Sequence, residues 1–132
     1  MDDRTAVVEA IRAGWSSDTI AEGEFASTNP ARGQCDASSF VAWRYLGGDL
    51  VLSKVFLNGE EVEHHYWNRI DGDDLDITRD QFTQGEDIVE IKVHTHDFLA
   101  ENMNAMRPEL LSRIELLSSR VESTLGAPAN YP

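Results

Sequence analysis

The sequence predicts an α+β domain: a small antiparallel sheet packed with helices that stand at both ends of the chain. Three observations carry this. Apolar residues recur at threes and fours over 4–15 and again over 98–125, which is the helical period. The stretch 50–93 instead reads as short strands of period two. Asn58-Gly59 and Asp71-Gly72 punctuate it, and such dipeptides are the strongest short-range signals for two-residue hairpins. At 132 residues, with 41% hydrophobic side chains, the chain fits one domain over 1–132.

In the first helix Val7, Ile11 and Trp15 form a stripe at intervals of four, with Asp2 or Asp3 as cap and Gly14 and Ser16-Ser17-Asp18 as the stop. Residues 21–34, rich in Gly, Ser, Asn and Pro, read as a loop of the kind that carries functional groups. A second helix opens at Cys35, runs through Phe40, Val41, Trp43 and Leu46, and stops at Gly47-Gly48. Leu50, Leu52, Val55 and Leu57 mark a strand whose spacing slips by one, the sign of a bulge. Strands over Val62–Ile70, Leu75–Thr78 and Ile88–Val93 follow. The C-terminal helices occupy about 95–125. Thr95 caps the first, which holds Phe98, Leu99, Met103 and Met106 and ends before Pro108. Leu110, Ile114, Leu117, Val121 and Leu125 stripe the second, which stops at Gly126. Should the domain leave this stripe partly uncovered, a homodimer follows.

Composition excludes several classes. With 24 Asp+Glu against 11 Lys+Arg the formal charge is −13, which repels nucleic-acid phosphates and anionic membrane surfaces alike. One cysteine leaves no disulfide framework and no multi-Cys zinc site. Neither a signal peptide nor an apolar run of about 20 residues is present, so the expected setting is cytoplasmic. No cofactor is expected. The four aspartates Asp71, Asp73, Asp74 and Asp76 fit a hairpin turn better than a calcium loop, since the later Gly and the closing Glu are missing. A minor alternative brings His94 and His96 to zinc with His65 or Cys35.

The second hairpin carries chemistry. If Asp71 and Gly72 are the loop of a type I′ turn, Ile70 faces Asp73, Trp67 faces Asp76 and His65 faces Thr78. Alternation then places His65, Trp67, Arg69, Asp76 and Thr78 on one face, and His64, Tyr66, Asn68 and Ile70 on the other. His65 and Asp76 become diagonal neighbours, Cβ atoms about 7–8 Å apart, suited to a base and its orienting carboxylate. A three-residue loop would exchange the faces and favour His64. Cys35 follows Gly33-Gln34 at a helix start, where the dipole and an adjacent imidazolium lower a thiol pKa and free N–H groups stabilise an oxyanion. The plain alternatives are a buried structural cysteine, a hydrogen-bonded strand histidine and a turn aspartate.

Gly14-Trp15-Ser16 with Thr19, NPARGQC at 29–35, GGDL at 47–50, HYWNRI at 65–70 and DITRDQF at 76–82 resemble the YunG-like family of small bacterial and phage proteins. That family in turn resembles compact papain-like cysteine hydrolases. The resemblance implies a papain-like core and a catalytic triad of Cys35, His65 and Asp76, with Gln34, Asn68 and Trp67 as supporting or substrate-binding residues. Gln34 directly beside the cysteine departs from larger papain-like enzymes, where the oxyanion glutamine lies several residues earlier. The expected function is hydrolysis or acyl transfer on an amide, isopeptide or thioester of a small molecule or peptide. The alternative is a non-catalytic acidic interaction protein that binds a basic partner.

Overall fold

A computed structural model of the chain describes residues 3–21 and 25–128. Helix α1 spans Asp3–Ala13, α2 Cys35–Leu46, α3 His96–Asn102 and α4 Pro108–Leu125. Strands β1 (Asp49–Leu57), β2 (Glu60–Ile70), β3 (Asp73–Leu75) and β4 (Asp87–His94) form one open antiparallel sheet in the order β3-β2-β1-β4. The α+β class and its antiparallel sheet thus stand as expected. The cap at Asp2 and residues 22–24 of the loop at 21–34 lie outside the described residues.

Helix α2 is the centre of the domain. Every side chain from Asp36 to Arg44 is buried, because α1 and α4 cover one side and β1 and β2 the other. Val7 and Ile11 from α1, Phe40 and Trp43 from α2, and Ile114 and Leu117 from α4 share one core. The middle of the α4 stripe is covered by the domain itself, Ile114, Leu117 and Val121 being inaccessible, whereas Leu110 is half-buried and Leu125 exposed. A Cβ on Gly14 would lie 2.8 Å from Leu117 Cδ1, so α1 ends where α4 comes closest.

The second hairpin has the geometry its dipeptide requires. Asp71 and Gly72 take φ of 52° and 82°, the left-handed pair of a type I′ turn, and Asn68, Arg69 and Ile70 pair with Leu75, Asp74 and Asp73. The bulge anticipated in β1 lies at Val55/Phe56 against β2, and a second lies at Leu52/Ser53 against β4. Two elements end early, and α1 ends at its expected Gly14 stop. β3 stops at Leu75 instead of Thr78, because Asp76 Oδ1 accepts the Thr78 N–H at 3.3 Å; this side-chain turn pulls the chain out of the ladder into a 3-10 turn at Arg79–Gln81. α1 stops at Ala13, where Gly14 N–H reaches both Ala10 and Ile11 carbonyls. α3 carries the Thr95 cap as anticipated but gives way at Met103–Ala105 to a 3-10 turn ahead of Pro108.

Candidate functional site

Helix α2 begins at Cys35 with Gln34 in the cap position, whose side chain makes no cap bond, while Asp36 Oδ1 accepts the first-turn Ala37 N–H at 2.7 Å. Gln34 is fully buried. Its Oε1 accepts from Thr19 Oγ1 at 2.7 Å and its Nε2 donates to the Ser16 carbonyl at 3.3 Å, so it fastens the segment after α1 to the helix start. Asn68 is placed the same way: its Nδ2 donates to the Ser39 carbonyl at 2.9 Å, tying β2 to α2. Both expected supporting residues are thus bonded to the scaffold. Trp67 lies on the opposite face of β2, buried, with the Arg79 guanidinium 5.4 Å above its ring.

His65 and Asp76 meet as the hairpin geometry anticipates. His65 Nε2 lies 2.7 Å from Asp76 Oδ2, and the imidazole is inaccessible to solvent. The 3-10 turn closes over the pair. Arg79 Nε donates to the same Asp76 oxygen at 2.7 Å, Phe82 packs edge-on at 4.8 Å, and Gln81 Nε2 lies 3.4 Å from His65 Nδ1. Gln81 Nε2 also donates to Thr78 Oγ1 at 3.0 Å. With Gln81 donating to Nδ1, the ring proton sits on Nε2 and points at Asp76. Both imidazole nitrogens are engaged, and no hydrogen bond joins His65 to Cys35 among the described residues.

The thiol stands at the edge of β2. β3 pairs only with Asn68–Ile70, and beyond it Glu63, His64 and Tyr66 of β2 line the same groove as Cys35. Cys35 keeps partial solvent exposure as a residue, yet burial, first of all, and the neighbouring Asp36, Glu63 and Asp76 carboxylates push its thiol up to about 12; the Tyr66 N–H acts the other way. This corrects the expectation of a lowered thiol pKa. Dehydration and negative charge outweigh the helix terminus, and the imidazole that would supply positive charge is turned to Asp76. Asp36 is itself held by Arg113, whose Nη1 and Nη2 donate to its two oxygens at 2.7 and 2.8 Å.

A groove of about 440 Å³ opens beside Cys35. Arg32 and Gly33 line it from the loop, Asp36 from α2, Val62, Glu63, His64 and Tyr66 from β2, and Arg107 from the approach to α4. The histidine on its wall is therefore His64, with His65 lying behind the strand. His94 stacks on Phe98 at 5.0 Å and His96 Nδ1 accepts from Trp43 Nε1 at 2.9 Å, which keeps both in packing roles away from Cys35. Among the described residues no three His, Cys, Asp or Glu side chains are grouped as metal ligands, and no helix is long and apolar enough to cross a membrane. Gln81, Arg79, Arg32, Arg107 and the Asp36–Arg113 pair were not legible as site residues. The spacing of Asp76 and Arg79 is a local signal for their ion pair; nothing in the sequence points from Cys35 to Arg107.

The model of a family described as YunG protein matches residues 3–126, and the chain belongs to that family. No curated protein and no solved structure gives a match.

Proposed function

We propose that the groove at Cys35 is the site of a cysteine-dependent hydrolysis or acyl transfer on an amide, isopeptide or thioester, and that the structure is its resting arrangement. One observation carries the reading: Cys35 shares a groove with His64 and Tyr66, the residues on either side of His65, whose Nε2 lies 2.7 Å from Asp76 Oδ2. The order of a cysteine opening a helix, a histidine on β2 and an aspartate after β3 is also that of the compact papain-like hydrolases which the sequence resembles.

Asp76 fixes Nε2, so Nδ1 is the nitrogen left for the reaction. In the resting arrangement Gln81 covers it through a long contact of 3.4 Å on the face of β2 away from the groove, so the reaction requires β2 to turn Nδ1 from Gln81 toward the thiol when substrate binds. Nδ1 then takes the thiol proton as sulfur attacks the carbonyl carbon and the carbonyl electron pair moves to oxygen. Of the first-turn N–H groups of α2, that of Ala37 is taken by Asp36 Oδ1 and that of Ser38 by the Gln34 carbonyl, which leaves those of Cys35 and Asp36 to stabilise that oxyanion. Collapse of the intermediate breaks the bond to the leaving amine or thiol, which receives the proton from the imidazolium. Water or a second nucleophile completes the cycle from the acyl-enzyme.

Iodoacetamide alkylation of Cys35 at neutral pH tests this. His65→Gln should slow alkylation at least tenfold, and Gln81→Ala should speed it several-fold by uncovering Nδ1. Equal rates in folded wild type and His65→Gln, as judged by circular dichroism, would overturn the mechanism. The thiol at about 12 favours a second reading in that event: a non-catalytic protein whose −13 charge recruits a basic partner, with binding that weakens steeply as salt rises.

A further inference from the structure

Carboxylates outnumber cations by 24 to 11 in this chain, and its arginines are accordingly taken up. Arg12 is held by Asp80, Arg69 by Asp74 and Glu90, Arg79 by Asp76 and Arg113 by Asp36 and Glu109. Arg4 and Arg44 reach carboxylates too, and Arg120 reaches the Gly14 carbonyl and Ser16 hydroxyl. Arg32 and Arg107 are the exceptions: among the described residues neither guanidinium has a hydrogen-bond or ion-pair partner. They come from segments far apart in sequence, yet both line the groove that holds Cys35.

The backbone under each is anchored. The turn carrying Arg32 is tied by Ala21 N–H to the Gly33 carbonyl at 2.9 Å and by Asn29 Nδ2 to the Gln81 carbonyl at 3.0 Å. Arg107 directly precedes Pro108, the first residue of α4. Arg107 is close enough to Tyr66 to oppose the upward push that burial gives its phenol. The groove also contains acid, but Asp36 is neutralised by its bidentate Arg113. Among the described residues of the groove, two guanidiniums therefore stand against one carboxylate without an arginine partner, Glu63. A planar guanidinium fork is matched by an oxyanion such as carboxylate.

We infer that the groove binds a small peptide-like amide bearing a free carboxylate, gripped by Arg32 and Arg107. As a statement about substrate this rests on the reading of Cys35 above, but the binding can be measured without the thiol. The groove's volume suits a ligand of two or three residues, and an anion is admitted here although the chain as a whole repels anions.

The experiment is an NMR titration of the full-length protein at low ionic strength, following the backbone amides of groove residues. N-acetyl-Ala-Ala with a free C-terminus is the probe; its C-terminal amide and inorganic phosphate are the controls. The free acid should bind saturably, at least tenfold tighter than the amide, and lose tenfold or more in Arg32→Gln and in Arg107→Gln. The titration is repeated with the arginine variants in a Cys35→Ala background, where the same preference for acid over amide and the same arginine losses are expected, so failed alkylation chemistry and failed anion binding are read separately. Equal affinity for acid and amide, no saturable shift, or unchanged affinity in both glutamine variants overturns the inference. Tighter binding of phosphate than of the free acid overturns the carboxylate assignment.

Discussion

At Cys35 a helix terminus, dehydration and nearby carboxylates act on one sulfur. A helix N-terminus is worth about 0.3–1 kcal/mol to an anion near the surface, under one pKa unit. Burial alone moves a titratable group by as much as 3–5 units, so the thiol rises from 9.0 to about 12. A raised pKa means that the folded protein keeps a proton which the unfolded chain releases above about 9. The stabilisation linked to that proton is complete below pH 9 and is lost as pH climbs toward 12. Each pKa unit is worth about 1.4 kcal/mol. Urea unfolding at pH 8 and pH 10 should therefore show wild type losing about 1 kcal/mol more than Cys35→Ala over that interval. Parallel pH dependence in the two proteins would mean that the folded thiol titrates normally.

Between elements, the start of α2 depends on α4. Arg113 and Asp36 are almost completely buried, joined by two short bonds, and removing one partner of such a pair costs about 3–5 kcal/mol by leaving a charge without compensation. Arg113→Met should cost that much in urea unfolding, and Arg113→Met with Asp36→Leu should recover most of it. Two single losses that simply add would show that the pair is not coupled. This pair marks the limit of what the sequence makes legible. Helical stripes such as Val7-Ile11 and Ile114-Leu117-Val121 announce buried faces because burial imposes the period of 3.6 residues. Asp71-Gly72 fixes the hairpin register, and parity then delivers the His65–Asp76 contact, since both are consequences of local backbone geometry. Alternation says which strand residues share a face but not which face a helix will cover. The placement of Cys35 at the edge of β2, with His64 on the groove wall and His65 behind, depended on that docking. The cover of Gln81 over Nδ1 depended on β3 ending early, which followed from a single Asp76 side-chain bond to Thr78.

Over the whole molecule, electrostatics has two opposed parts. Ion pairs such as Arg12–Asp80 and Arg69–Asp74 are partly exposed, and pairs of that kind contribute between nothing and about 1 kcal/mol each. Against them stands a net charge of −13, the excess of which has no cation beside it and disfavours the compact state. Salt weakens both parts, but not equally. Contacts near 3 Å lie well inside the Debye length, which falls from about 30 Å at 0.01 M to about 10 Å at 0.1 M. The repulsion acts across the domain, at distances which that change in screening does reach. Raising sodium chloride from 0.01 to 0.3 M should therefore stabilise the protein, by about 1 kcal/mol or a few degrees in Tm, with most of the gain complete by 0.1 M. Differential scanning calorimetry at fixed pH reads this directly. A Tm that falls with salt would mean that the surface ion pairs outweigh the repulsion, and that acidity is a smaller part of this molecule's energetics than its composition implies.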